Sequence, residues 1–480
     1  MTLRLVCRTM SALEITQQQP MASDQAKRVF LACFQALSGQ KGPDAVGKAD
    51  AKMREMARQP GYSVVLASIF GDKRIESPYR SVATILCAEC GCSQMSGILL
   101  INFIQERWEN SSQKPGPAIS EKEKIQLRNI LPALLSDPNH LLRTAASMSI
   151  AAIGAVDYPE KWPQLLPSLV KCLNTRDNPN LVQGALRTVS ALLEDLTSHQ
   201  IAKFLPQLFP GLLAILKEPR YPLKVRANAI RVYGVCVLSL AELRGTSRKS
   251  PSSSSSSSPE KDLSRALLLP TLKPWLEALL TVLRGKLTLE NTASPSGWVM
   301  MQLEAVRALR RFQKFFSDIF SSFRPAFTKT MMQGLAEVSA VYQKGSVESD
   351  VASSSPSDDA AFDEDGDRVG LPMYLSYVME FVTESVRQDF KGKTGLAKCR
   401  PQETKSTLTA LAKCAVAYLR VTVAEEKNWS ENPEEFVLYD DNIEHIFTPR
   451  AAATSLIDVI ALTGRCLGSE QRKFNLVETA

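Results

Sequence analysis

A chain of 480 residues with 44% hydrophobic and 22% charged residues can bury a sizeable core, as two to four domains or as one extended repeat array. Its net charge of +7 forms no Lys/Arg stripe interleaved with aromatics, so a nucleic-acid surface is not expected, and no uninterrupted apolar run reaches the roughly 18 residues of a membrane span. Of the ten cysteines most sit among apolar neighbours, as in "LACF" and "YGVCVL", a usage that suits a reducing compartment rather than a disulfide framework.

Residues 1–27 carry two arginines and no continuous apolar stretch, and are expected to be a disordered extension, with "MASDQAKRVF" at Met21 opening the ordered chain. "RVFLACFQAL" follows with helical period. "GPDAVGKA" (42–49) fits G-x-x-x-x-G-K up to Lys48, but Ala49 stands where a phosphate loop needs Ser or Thr, and no buried strand precedes it. The segment is therefore expected to be an interhelical loop. "KADAKMREMARQPGYSVVLASIF" (48–70) and "SGILLINFIQERW" (96–108) read as helices. Between them, "CAECGC" brings Cys87, Cys90 and Cys92 together, but a structural zinc site needs four ligands, and the nearest histidine is His140. No metal or other cofactor is expected.

The central chain repeats. "ILPALL" around Pro132, "LLPSLV" around Pro167, "LFPGLL" around Pro210 and "LLPTLK" around Pro270 are spaced by 35, 43 and 60 residues. The last interval holds the serine-rich insertion 245–262, and without those 18 residues it shortens to 42. Each copy is followed by a second apolar helix: "LLRTAASMSIAAIG" (141–154), "ALRTVSALLEDL" (185–196), "AIRVYGVCVLSL" (229–240) and "ALRRFQKFF" (308–316). Small residues such as Ala145, Ala146, Ser149 and Ala152 let a neighbouring helix approach closely. Helix pairs at a period of roughly 40 to 47 residues are the mark of HEAT or armadillo arrays. The expected fold is all-α, a right-handed superhelical α-solenoid of HEAT-type helix pairs. Within "DYPEKWPQLLPSLV" (157–170), Pro159 reads as loop, Pro163 as a first helical position, and Pro167 as either the first turn or a kink in the outer helix.

"FRPAFTKTMMQGLAEVSAVY" (323–342) and "LPMYLSYVMEFVTESV" (371–386) form a further expected pair. Between them lie eight acidic residues and no basic one from Glu348 to Asp367, expected to be a disordered loop. "STLTALAKCAVAYLRVTV" and "RAAATSLIDVIALTG" are again expected to be helical, and without an obvious polar capping repeat the expectation is the front part of a longer array. Catalysis has few candidates. His140 and His199 read as turn residues facing solvent, His445 stands alone, no G-x-S-x-G is present, and "GKTG" (392–395) has Arg387 where a phosphate loop has its first glycine. Ser250 and Ser258, each followed by proline, are either phosphorylation sites or part of a passive flexible loop.

Several of these stretches together resemble the importin-β (karyopherin-β) family. The carriers are "QPGY" with Pro60, Gly61 and Tyr62, the helix ending at Trp108, and the turn with Asp157, Tyr158, Pro159, Trp162 and Pro163. "NWSENPEEFVLYDDN" (428–442) resembles the histone-importing branch. The resemblance covers roughly residues 28 to 480. It departs from the family pattern in an insertion at 76–94, in Ile101 where a polar or basic residue is common, and in a basic, shorter chain.

The resemblance implies a nuclear import receptor without enzyme activity, shuttling between cytoplasm and nucleus through the nuclear pore. Its partners would be Ran-GTP near the N-terminus, Phe-Gly nucleoporins in grooves between outer helices, and basic protein cargo such as histones or ribosomal proteins, with neither direct nucleic acid nor membrane. The Ran contacts it implies are Asn102, Gln105, Arg107, Arg143, Ser147 and Arg187, on the inner helices of the first repeats. A HEAT scaffold that ignores Ran would carry the same helix pairs. The implied layout is the extension 1–27, N-terminal repeats 28–110, HEAT repeats 111–244, 263–344 and 369–480, and two loops at 245–262 and 345–368.

Overall fold

The computed structural model describes residues 27–33, 43–57, 59, 61–72, 99–109, 119–175, 177–246, 259–288, 297–347, 369–392, 395–434 and 448–477. The N-terminal extension, the 76–94 insertion with its three cysteines, Pro60, the serine run, the acidic segment 348–367, and His445 lie outside the described residues. The described chain is helical: α1 (27–33), α2 (Pro43–Met56), α3 (Tyr62–Gly71), α4 (Leu99–Arg107), α5 (Glu121–Ile130), α6 (His140–Asp157), α7 (Leu165–Leu173), α8 (Pro179–Asp195) and α9 (Ser198–Lys217). Then come α10 (Leu223–Thr246), α11 (Pro259–Leu283), α12 (Gly297–Phe315), α13 (Arg324–Tyr342), α14 (Leu371–Gly392), α15 (Pro401–Ala417), α16 (Val423–Glu431) and α17 (Pro449–Val477). The expected HEAT-type pairing is what the structure shows. The chain divides into two compact units, one up to Gly211 and one from Leu212.

In the first unit α4, α6 and α8 lie side by side as one row, while α3, α5, the 3-10 turn Leu131–Ser136, and α7 cover them. Local chemistry sets the helix starts. The Asn139 side chain accepts the Leu141 N–H at 2.9 Å, and Asn178 accepts Leu181 N–H at 3.1 Å with Pro179 just inside the helix. Each such cap contributes about 1 kcal/mol. Close approach is built from glycine: a Cβ on Gly184 would stand 2.5 Å from the Leu135 carbonyl oxygen, and one on Gly154 2.6 Å from Leu165 Cδ2. Around these contacts Leu127, Leu131, Leu142, Ala146, Leu186 and Val189 are fully buried.

In the second unit α10, α12, α14 and α17 form the row, with α11, α13 and α15 packed along it. Its core is aromatic. Tyr233 stacks on Trp275 with centroids 3.8 Å apart, and Phe312, Phe316, Phe320, Phe327 and Phe381 continue in contact. Glutamine side chains bolt the helices together, Gln302 Nε2 donating to the Val282 and Gly285 carbonyls and Gln313 Nε2 to Phe381 O and Ser385 Oγ.

Pro159 lies in a turn and Pro167 in a first turn, as expected, but Pro163 is not a helical residue. Pro163 precedes α7, whose N-cap is Gln164, and Pro167 sits in the first turn, where its missing N–H has no helical partner to lose. Pro206 and Pro210 lie inside α9, and Pro270 and Pro274 inside α11. Pro206, Pro210 and Pro270 all face solvent. Solvent-side carbonyls already tilt outward where a helix curves around a core, so a ring on that side breaks the weakest bonds of the ladder. Among the repeated prolines, Pro132 and Pro167 stand in first turns, while Pro210 and Pro270 lie on the exposed face within their helices.

Three further expectations are corrected. Residues 43–49 are not a loop but the first half of α2. Helix takes both edges of the serine-rich segment, through Thr246 and from Pro259, and Gln343–Val347 continues α13 as a π-helical turn. Although no uninterrupted apolar run spans a bilayer, Leu263–Leu283 is long and apolar enough overall. Its Leu268, Leu272, Trp275, Leu276 and Leu279 are buried where α11 packs on α10, α12 and α13.

Candidate partner-binding surface

The row α4, α6, α8 presents a stripe to solvent, and the residues named from sequence divide between that stripe and the interior. On α4, Gln105 is exposed and Asn102 half-buried, while Arg107 turns back to donate from Nη1 to the Ala57 carbonyl at 2.8 Å with its guanidinium 4.9 Å above the Phe103 ring. Ile101 is buried, so position 101 offers no polar contact to a partner. On α8, Gln183, Arg187, Ser190 and Glu194 follow one another along the accessible side.

On α6 the accessible residues include His140, Leu141, Thr144, Met148 and Ala152. Arg143 and Ser147 stand one position behind them and are buried. Arg143 Nη1 donates to the Asp137 and Pro138 carbonyls at 2.7 and 2.9 Å, and Nη2 to Gln183 Oε1 at 3.1 Å. Ser147 Oγ bonds Arg143 O and, across to α8, Gly184 O at 3.0 Å. Both clamp α6 to its neighbours. With α4 and α8 on its flanks and the 3-10 turn behind it, α6 shows solvent about one residue per turn.

The motif residues sit at joints between helices. Gly61 adopts φ +88°, a left-handed conformation that suits only glycine, and its N–H donates to Glu123 Oε1 at 2.8 Å. Ser63 Oγ bonds the other oxygen of Glu123 at 3.0 Å, so a carboxylate from α5 caps α3. Tyr62 is packed between Phe30 and Phe103, and burial raises its phenol above the usual tyrosine range against the opposing charge of Arg107. Trp108 is buried beneath Lys124 and Arg128, whose charged groups lie 5.5 and 5.7 Å from its ring.

Arg128 then reaches Asp157, donating from Nε at 3.0 Å and from Nη2 to the same oxygen. Asp157 is fully buried, and its main-chain oxygen accepts the N–H groups of Lys161 and Trp162 at 2.8 and 2.9 Å. The Tyr158–Pro159 peptide is cis, Trp162 is buried, and Pro163 is exposed in the turn. Trp108 and Asp157, far apart in sequence, are thus joined through one arginine. Neither Arg128 nor Glu123 was picked out from the sequence, because nothing local distinguishes them from other charges on a helix surface.

His140 is the first residue of α6 and His199 the second of α9, both exposed, rather than turn residues. Among the described residues no group of three or more His, Cys, Asp or Glu is placed to hold a metal. What the geometry offers is a row of helix edges for contact with another macromolecule.

No family model matches the chain. It is 23% identical over 433 residues to Importin-9 of Drosophila melanogaster, covering 89% of this chain and 38% of that protein. It is 27% identical over 154 residues to Importin-11 of Mus musculus, covering 32% of this chain and 14% of that one. Among solved structures, the exportin Cse1 in its cargo-free, cytoplasmic state shares the fold, with a TM-score of 0.57 at 12% identity, covering 95% of this chain and 44% of that one. The chain spans well under half the length of these relatives. The similarity to Importin-9 runs along nearly the whole of this chain, and the fold shared with Cse1 is one of HEAT-type helix pairs.

Proposed function

We propose that the chain forms part of a nuclear import receptor, working by binding and release without chemistry of its own. The observation that carries this reading is the continuous similarity to Importin-9 over 433 residues. The receptor takes up cargo in the cytoplasm, passes the pore through contacts with Phe-Gly nucleoporins, and releases cargo in the nucleus on binding Ran-GTP. Ran-GTP contacts the accessible stripe of the first unit, through Asn102 and Gln105 of α4 and Arg187 of α8, and Arg107, Arg143 and Ser147 hold those helices in register. Cargo is a basic protein, such as a histone or ribosomal protein, drawn to the acidic run 348–367.

The test is binding of the purified chain to Ran loaded with a non-hydrolysable GTP analogue, against Ran loaded with GDP. The expected result is a preference for the GTP form, weakened at least tenfold, or about 1.4 kcal/mol, by Gln105→Glu with Arg187→Glu in a protein of unchanged helicity. Equal or absent binding by a folded wild-type chain refutes the reading and leaves a scaffold that ignores Ran.

A further inference from the structure

The accessible sides of α10, α12 and α14 in the second unit gather Arg231, Arg307, Arg310 and Arg311 around two carboxylates, Glu304 and Glu380. Glu304, 2% exposed, accepts from Arg307 Nη1 at 2.7 Å and lies 3.4 Å from Arg231 Nη2. Arg310 pairs with Glu380. Arg307 and Arg310 also lie over the Tyr377 ring, 5.2 and 4.8 Å from its centroid. Arg311 is packed flat against the α10 backbone, where a Cβ on Gly234 would stand 2.2 Å from its Nη1. That nitrogen is shut off from solvent and has no hydrogen-bond partner.

Four guanidiniums and two carboxylates leave an excess of positive charge on a surface where water screens poorly. Burial weakens Arg311's hold on its proton, with Glu304 opposing, and burial raises the Glu380 carboxyl despite Arg310. Charges in such a place are stabilised by any anion that arrives with matching geometry, and guanidinium forks match carboxylates. On α14 the next carboxylate, Glu384, is already taken by Arg387 at 2.7 Å.

We propose that this arginine-lined face of α10, α12 and α14 docks an acidic peptide segment of a protein partner. Carboxylates on alternate residues of an extended segment are about 6.4–6.8 Å apart, so they can reach arginines while stepping past Glu304 and Glu380. A nucleic-acid strand fits less well. Its unbroken phosphates would meet both carboxylates, and the Tyr377 ring that a base would stack on is covered by two guanidiniums. The proposal stands apart from the receptor reading, since it concerns a different unit and a ligand of opposite charge to basic cargo.

The experiment is fluorescence anisotropy of the full chain with a labelled twelve-residue peptide of alternating glutamate and serine. Saturable binding is expected, weakened at least tenfold by Arg311→Ala and by the Arg307→Gln/Arg311→Ala double variant, and retained by Arg310→Lys, which keeps the pair with Glu380. Lys405→Ala/Lys413→Ala, which removes two exposed charges from α15, should leave binding unchanged. Equal loss in that control, or no binding by the wild-type chain, overturns the proposal. Tighter binding of a single-stranded oligonucleotide of equal charge, sensitive to the same arginines, overturns it in favour of nucleic acid.

Discussion

Removing the carboxylate of Asp157 should cost far more than removing a surface charge. Asp157 is fully buried and the Arg128 side chain only 13% exposed, so Asp157→Ala strands a guanidinium over the Trp108 ring, which the Lys124 ammonium also approaches. Breaking one side of such a pair costs about 3–5 kcal/mol, against 0–1 kcal/mol for an exposed pair. At 1.36 kcal/mol per decade this is roughly a 150- to 5,000-fold shift in the opening equilibrium. Replacing both partners with apolar groups, as in Arg128→Met/Asp157→Leu, should recover most of that loss, because no buried charge is left unpaired. Hydrogen exchange of peptides across residues 121–195 reads the effect in the helices concerned, without treating the whole chain as one transition. Loss of less than about 1 kcal/mol in Asp157→Ala, or a double variant no better than the single ones, would refute the argument that the pair is buried and coupled.

Gly184→Ala should destabilise the first unit by about 1–3 kcal/mol in urea titrations, because the added methyl meets the Leu135 main chain and not a movable side chain. Gly47→Ala in α2 has nothing within 4 Å to strike, and should gain up to about 1 kcal/mol from helix propensity instead. Asp318 supplies a pH test in the second unit. Burial pushes its carboxyl up, but hydrogen bonding and charge from Arg244 outweigh this and hold it below the ordinary range. The folded chain therefore takes up that proton later than the unfolded chain. Stability from the pair is present above the ordinary value of about 4 and is lost as pH falls through the folded value. The stability difference between wild type and Asp318→Asn should thus be visible at pH 6, vanish in strong acid, and shrink in 1 M salt. A difference that stays constant down to pH 2 would show that the pair does not titrate as described.

The paired helices were legible in the sequence because core and solvent alternate at helical period, and because a solvent-facing proline recurs and is tolerated in successive covering helices. The same tolerance hid the helix starts, since a ring on the exposed side of α9 or α11 interrupts nothing that water and curvature have not already loosened. In α2 the pattern G-x-x-x-x-G-K suggested a loop, yet Ala45, Lys48, Ala49 and Ala51 are strong helix formers and carry the helix through Gly47. The register of α6 was out of reach for a related reason. "LLRTAASMSIAAIG" is small or apolar nearly all round, as a helix flanked by α4 and α8 must be, and so no polar stripe separates Arg143 and Ser147 from Thr144 and Met148. Which of them is accessible depends on how close the neighbouring helix lies, and towards α8 that approach runs over Gly154, where a Cβ would stand 2.9 Å from Leu192 Cδ1. A partner surface made from a row of helix edges is therefore specified by glycines and alanines at the joints. Substitutions at those joints should disturb recognition as surely as changes to the residues that touch the partner.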